Sequence, residues 1–479
     1  MKKYNVFKVL LIALAVAIVL SFLIPQSTIG YSGIEKGKIN PITLIDCVSN
    51  GLTSFSVFIA SFIYILSIGI FYGVLKKSEK YDAVITNTAA KFNNKKVFVI
   101  ISILTFGILT ACIGDVMPML IFVPAFIDVA KKMGYDSKAS ILSTVGAMIL
   151  GSAGSLYTNY TNQILATKVT DNIIAKIIIL VVSLAALILF VVLTSKVKDT
   201  KLKKEKVEKG LPISLAFDIM LVLIILGTVS WNGYFGFTGF SDFFESMVDF
   251  TVFKISLFNA IIGQTLVAFG EWTIYSLIVL LLVVSFILSL IYRIKFDALL
   301  ETIANGIKKS LPYALILVLA NVVLVAVYNS GFYTTVITSV GAMKDSILSS
   351  STISALSSVA YPDYSYASQF TLSTLATVIS NTKIYVVLAF IFQAIYSLVL
   401  LISPTSILIL MALRYENVSY KDWIKYIYKF FLGLLILYFV IIIIIGSKFV
   451  KTISFVVLAV LIVMLVLFIV LSKTKNEKK

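Results

Sequence analysis

Apolar runs long enough to cross ~30 Å of hydrocarbon recur from one end of the chain to the other, separated by short segments with clustered lysines. Taking the lysine segments as cytoplasmic anchors orders the first spans: Asn5 to Leu23 outward, Thr53 to Leu75 back, and Ile173 to Ser195 ending at the basic run Lys196 to Gly210. Between Lys96 and Lys131 the pattern changes. Val97 to Cys112 and Met117 to Val129 are apolar arms, each short of a full crossing, with lysine pairs at both feet (Lys95 and Lys96, Lys131 and Lys132). Two half-length arms rooted on one side predict a re-entrant hairpin with "CIGDVMP" at its buried tip. Ala139 to Leu150 then reads as a helix entering from the same side and Leu156 to Thr167 as its completion, broken in the middle by "GSAGSLYTNYTNQ" (Gly151 to Gln163). Gly151 and Gly154 accept backbone angles that other residues resist, and the neighbouring hydroxyls and amides can satisfy backbone groups freed by a break.

The second half starts with Ile213 to Ser230 outward, a semi-polar external segment around "GFTGFSDFFESMVDF", and Thr273 to Tyr292 inward to Arg293 and Lys295. "FDALLETIANGIKKS" reads as an amphipathic helix on the cytoplasmic surface, and Leu311 to Tyr328 as the next outward span. The weakly apolar Ser357 to Thr382 begins and ends outside on this count, which predicts a second hairpin, over about 350–381, entering from the opposite face. Ile384 to Ile402 runs inward, is interrupted at "SPTS" (Ser403 to Ser406) and continues to Arg414; Phe431 to Ile445 goes out and Ser454 to Leu471 returns, leaving both termini cytoplasmic. The expected fold class is an all-α polytopic membrane protein, with about ten transmembrane helices in an inverted repeat, two re-entrant hairpins and two broken helices. Its parts are 1–51 (first span and external loop), 52–210 (first repeat, with hairpin 97–131 and broken helix 139–167), 211–446 (second repeat, with broken helix 384–414) and 447–479 (an added span and basic tail). Inverted repeats bring their interruptions together near the bilayer midplane and let one bundle rock against the rest, the physical plan of a secondary transporter.

Composition narrows this further. Hydrophobic residues make up 59% and charged residues 13% of the 479, with a mean hydropathy of +1.03, so no soluble domain remains to be placed. A net charge of +17, from 40 Lys and Arg against 23 Asp and Glu, would suit nucleic acid if the lysines were not confined to segments such as "KKSEK" and "KFNNKK" between spans. The expected partners are therefore the bilayer, with its anionic lipid, and a small-molecule substrate, not nucleic acid. Cys47 and Cys112 are the only cysteines and histidine is absent, which argues against a disulfide framework, a thiolate or histidine metal site, and a Ser-His hydrolase. The N-terminus has the basic start and apolar stretch of a signal peptide, but the stretch is long and no small-residue cleavage site follows cleanly, so it reads as a retained first span. An intramembrane enzyme would need a nucleophile with a base or a metal cluster, and neither is visible; a channel is the remaining alternative, disfavoured by the inverted breaks. With no GxxxxGK[ST] pattern, the expected energy source is Na⁺ or H⁺ coupling, or solute exchange, and no other cofactor is expected.

"AFIFQAIYSLVLLISPTSILILMALRYENVSYKDWIKY", together with "FYGVLKKSEKYDAVI" and "AKKMGYDSKASILSTVGAMILGSAGS", resembles the anaerobic C4-dicarboxylate carrier-like proteins of the ion transporter superfamily, among which are proteins assigned as basic amino-acid antiporters. The resemblance runs from about Leu52 to the penultimate span. It implies a secondary transporter of the cell membrane moving an amino acid or a dicarboxylate, and relatives of this kind commonly form dimers. The chain departs from the family where a Gly-Asp-Gly is replaced by Gln393, Ala394 and Ile395, and where a Ser-Gly-Ser-Gly hairpin tip is replaced by Tyr361 to Ser365. At the first tip, Gly114 and Asp115 stand in place of a pair of acids.

The candidate substrate-binding residues follow from the breaks. An opened helix exposes N–H groups on one side and carbonyls on the other, so it can hold a carboxylate and a cation without a formal countercharge. Ser152, Ser155, Thr158, Asn159, Asn162 and Gln163 are the candidates at the first break, with Ser403, Thr405 and Ser406 at the second. A plain packing kink is the bland alternative. The motifs hold no buried Arg or Lys, which favours a small polar carboxyl-bearing cargo held by helix ends, hydroxyls and amides. Asp115 is the candidate coupling-ion residue, because an acid at a buried hairpin tip is costly; the alternative is a shallower hairpin in which it caps the second arm. Asp363 is a further substrate candidate, with a wet external turn as its alternative.

Overall fold

The computed structural model describes residues 5–30, 33–157, 159–168, 171–198, 210–252, 255–256, 259–260, 263, 267–343 and 346–446. The span expected over Ser454 to Leu471 lies outside these residues. Among the described residues, nine helices are long and apolar enough to cross a membrane, and the protein is an all-α multi-pass membrane protein.

Helix α1 (Asn5–Leu23) leads through a short antiparallel pair, β1 (Ser27–Gly30) and β2 (Gly33–Lys36), to α2 (Leu44–Val57). A capping box starts α2: Asp46 N donates to Thr43 Oγ1 at 3.2 Å and Thr43 N to the Asp46 carboxylate at 2.8 Å. Phe58 ends α2 and begins α3 (Ile59–Lys77), so the span expected over Thr53 to Leu75 is two helices meeting at a bend. After α4 (Tyr81–Ala90) comes α5 (Lys95–Ile113), capped by Asn94 and ended by Gly114 at φ +79°. At 19 residues, or about 28 Å, α5 is a full-length arm where a half-length one was expected, because the helix takes in Lys95 and Lys96, whose stems can run along the apolar surface. The chain returns through α6 (Met117–Leu120) and α7 (Val123–Lys132), each with a proline in its first turn, where the missing N–H costs nothing. Tyr72 splints the joint between them, donating to Ile121 O (2.8 Å) and accepting from Ala125 N (3.1 Å). The two feet meet: Lys95 Nζ donates to Lys198 O at 2.9 Å, and Lys198 N to Gly134 O at 2.9 Å. Residues 95–132 therefore form a hairpin rooted at the lysine-rich end.

Next, α8 (Ser137–Ile141), a π-helical turn (Leu142–Gly146) and α9 (Ala147–Ala153) run up to the first break, beyond which lie α10 (Asn159–Ile164) and α11 (Ile173–Thr194). Then come α12 (Leu211–Thr228), the short α13 (Trp231–Phe235) and α14 (Gly239–Asp249), and α15 (Ile274–Ile291). Helix α16 (Phe296–Ser330) is one continuous helix of 35 residues through Pro312, where a surface helix and a separate span were expected. A close crossing with α3 supports it along that stretch: a Cβ on Gly69 would meet Gly306 O at 2.7 Å, so only glycines allow the approach. At its far end Gly331 O accepts from Ser27 N (3.2 Å), and α17 (Phe332–Gly341) turns back. Helices α18 (Ser346–Ala360) and α19 (Tyr364–Val378) form the second hairpin. Helix α20 (Tyr385–Leu400), the second break and α21 (Ile407–Tyr415) follow, and α22 (Tyr420–Gly446) completes the described chain. Helix α9 packs against α5, α11 and α20, and α18 against α20, so both breaks sit at the centre of the molecule.

Candidate functional site

Each break is fastened to the hairpin beside it by the same chemistry. The last four carbonyls of a helix lack intrahelical partners, and in a membrane they have no water to turn to. At the first break, Leu156 N (3.0 Å) and Ser155 Oγ (3.2 Å) both donate to Ala111 O in the last turn of α5. At the second, Ser403 Oγ donates to Ser358 O and Thr405 Oγ1 to Val359 O, each at 2.9 Å, in the last turn of α18. Gly114 is required at the first tip by geometry as well as by φ, since a Cβ there would lie 2.1 Å from Tyr157 O. Ser406, buried, is the residue from which α21 starts.

The acids at the two tips occupy equivalent places. Asp115 Oδ1 accepts from Met117 N at 3.0 Å, and Asp363 Oδ1 accepts from Ser365 N (3.0 Å), Tyr366 N (3.2 Å) and Ser365 Oγ (2.7 Å). Asp363 is the N-cap of α19, whereas Asp115, two residues before α6, closes the turn that leads into it; the two lie within electrostatic reach of each other. Asp115 is exposed and Asp363 half-buried. Between the tips stands α10. Its Thr161 hydroxyl is 2.8 Å from the Tyr364 hydroxyl, and its Tyr160, which the sequence reading passed over inside the polar motif, lies near both carboxylates.

Gln393, noted in the sequence only as a departure, proves central. Its Nε2 donates to Ser155 O at 2.8 Å and approaches Ala153 O at 3.3 Å and Ser152 O at 3.4 Å, closing the carbonyl end of α9 from α20. Ser152 contributes through its carbonyl, because its hydroxyl is turned back onto Ile149 O at 2.8 Å. Asn162 is buried; its Oδ1 accepts from Thr167 Oγ1 at 3.1 Å and its Nδ2 has no partner. Gln163 is exposed and apart from this group. Thr158 and the side chain of Asn159 lie outside the described residues.

The two motifs themselves hold no Lys or Arg, but a neighbouring helix supplies one. The site region does hold a buried cation: Lys176, in the first turn of α11, is 4% exposed. Near the end of a 22-residue apolar helix it reads in sequence as a lysine reaching for the interface; only the packing of α11 beside α10 and α20 encloses it. With Asn162, Thr167, Asp171, Asn172 and Gln393 it lines a cavity of about 10 Å³, room for one water.

A much larger cavity, about 510 Å³, opens at the lysine-rich end between α3, α7, α16 and α21, with Tyr72, Lys76, Lys77, Lys309, Tyr313 and Tyr415 on its walls. Beside it, Asp128 of α7 accepts from Tyr81 (2.9 Å) and from Tyr415 (3.1 Å), and Lys131 Nζ lies 2.6 Å from the buried Glu416 carboxylate. These contacts join the foot of the first hairpin to the end of the second broken helix.

No curated protein matches the chain. Among solved structures it is similar to the YdaH transporter of Alcanivorax borkumensis, at 12% identity and a TM-score of 0.44, over 93% of this chain and 98% of that one. A family model described as C4-dicarboxylate anaerobic carrier matches residues 34–447, which takes in both hairpins, both breaks and both cavities. The chain belongs to the C4-dicarboxylate anaerobic carrier family, and is a carrier rather than an enzyme.

Proposed function

We propose that this carrier moves a four-carbon dicarboxylate across the cell membrane by alternating access between two inversely oriented halves, with its lysine-rich end in the cytoplasm. The observation that carries the reading is the convergence of two helix breaks, each fastened to a hairpin arm and each beside an Asp-bearing tip. The carbonyl end of α9 suits a cation once Gln393 releases it, while the amide end of α21 and the hydroxyls and amides nearby suit a carboxylate. The 510 Å³ cavity at the lysine-rich end supports a cytoplasm-facing state, with Lys76, Lys77 and Lys309 drawing anions toward it. Asp115 is the group proposed to couple transport to Na⁺ or H⁺, since it combines a central position with exposure.

The test is counterflow in proteoliposomes with labelled succinate, fumarate, L-malate, L-lysine and L-arginine. Saturable exchange of the dicarboxylates supports the reading. Exchange confined to the amino acids overturns the cargo, and movement only of large hydrophobic solutes overturns the class. Labelling of single cysteines at Lys95 and Lys131 from the same face is expected; labelling from opposite faces would remove the re-entrant hairpin and with it the inverted repeat.

A further inference from the structure

Among the described residues, Lys176 is the one Lys or Arg that is buried. An ammonium held away from water inside a membrane protein is expensive and is retained where it meets an anion. Asp171 lies within electrostatic reach and half-buried, but its Oδ2 already accepts from Lys168 N at 2.8 Å. A simple neutralising pair accounts for the charge. It does not account for the other polar groups on the same cavity wall. Asn162, 7% exposed, presents an Nδ2 with no partner, while its Oδ1 is occupied by Thr167. Asn172 Nδ2 is engaged by Val386 O at 2.8 Å and Gln393 Nε2 by the carbonyls of the first break. The wall thus offers a cation and an amide N–H, a donor pair suited to the two oxygens of a carboxylate.

We propose that Lys176 and Asn162 form a carboxylate-binding station for the cargo, between α10, α11 and the first turns of α20, on the side of the first break away from the lysine-rich end. This rests on the proposed transport of a carboxyl-bearing solute and adds the residue that supplies the positive charge. The cavity has room for one water and no more, so the station is closed in this state, as expected when the larger cavity at the other end is open. Occupancy requires α10 and α20 to part, and the arriving carboxylate then displaces Asp171 as the principal counterion of Lys176. Asn172, the residue before α11, sits at φ +56° and Ala166, just past α10, at φ +49°. Strained backbone on either side of this connection is a physical source for such a movement.

The experiment is thermal stabilisation of the purified full-length protein by succinate, butyrate, L-lysine and L-aspartate, for wild type, Lys176→Gln, Lys176→Arg, Asn162→Ala and the double variant Asp171→Asn with Lys176→Gln. Loss of a charge-assisted hydrogen bond should weaken apparent succinate binding about 10- to 100-fold in Lys176→Gln, with partial rescue by Arg, and about 3- to 10-fold in Asn162→Ala. Should Lys176→Gln fail to fold, Asn162→Ala carries the test, and binding as tight as wild type overturns the station. Succinate binding in Lys176→Gln within about twofold of wild type also overturns it, leaving the cargo reading intact. Restored binding in the double variant overturns it too, since Lys176 would then serve only to neutralise Asp171. If another carboxylate stabilises the wild type, succinate does not, and Lys176→Gln abolishes the effect, the station stands and the dicarboxylate reading falls. Stabilisation by no carboxylate overturns both.

Discussion

Replacing Gln393 with leucine tests whether the two halves are joined through the carbonyl end of α9. The side chains are close in size, and Gln393 is 1% exposed, so the substitution removes the amide with little change in volume. Losing the 2.8 Å bond leaves the buried Ser155 carbonyl without a donor, which costs about 1–3 kcal/mol. The contacts at 3.3 and 3.4 Å add little, because Ser152 O also accepts from Ser155 N at 3.2 Å. The expected loss is about 1–3 kcal/mol, which at an unfolding entropy of about 1 kcal/mol/K for 479 residues lowers the apparent melting temperature by on the order of 1–3 °C. Differential scanning fluorimetry in detergent reads it. Gln393→Glu should be worse at neutral pH, because a carboxylate would face carbonyl oxygens. A folded-state pKa raised above the unfolded value means that its deficit shrinks as pH falls toward about 5 and grows as pH rises. A leucine variant that melts with the wild type would refute the reasoning, since the amide would then be making no net contribution there.

Three other outcomes are expected. Lys131→Met strands the buried Glu416 carboxylate; with Lys131 itself 43% exposed, the cost should be about 1–3 kcal/mol, recovered in part by adding Glu416→Gln, as a double-mutant cycle on melting temperature would show. Gly151→Ala places a Cβ 2.3 Å from Gly107 O, a backbone atom that cannot step aside, so α5 and α9 are forced apart and the yield of monodisperse protein should fall sharply on size-exclusion chromatography. Asp115→Asn keeps an acceptor for Met117 N and should melt with the wild type, yet lose uptake against an imposed Na⁺ or pH gradient; full concentrative uptake with unchanged ion dependence would leave Asp115 a turn-closing residue and nothing more.

The features that were legible in the sequence are those written in local chemistry. Apolar length marks the spans, paired lysines mark the feet of the first hairpin, and the Gly-Ser-Thr and Ser-Pro-Thr-Ser segments mark the breaks, because freed backbone groups need hydroxyl donors nearby. Asp115 and Asp363 were legible as tip residues, though not their approach to within electrostatic reach of each other. What could not be read depends on partners far along the chain. Gln393 meets Ser155 across 238 residues, and nothing in its own neighbourhood says so. Lys176 becomes a buried charge only through the helices around it. The unbroken course of α16 past Pro312 accompanies the glycine crossing with α3, which a local proline rule does not include.

Helix α10 has only six residues, about 9 Å of helix. Isolated helices of that length do not persist in water, so its order is supplied by what it touches: the first break at one end and Tyr364 of the second hairpin at its side. If the hairpin withdraws, α10 is free to unwind and rewind, an event of roughly 0.1–1 μs or less. That is far faster than collective domain motions, which run from microseconds to milliseconds. The segment near both carboxylates can therefore reshape itself far faster than the larger packed surfaces around it, such as that of α9 on α20 where Gln393 holds the carbonyls, can rearrange.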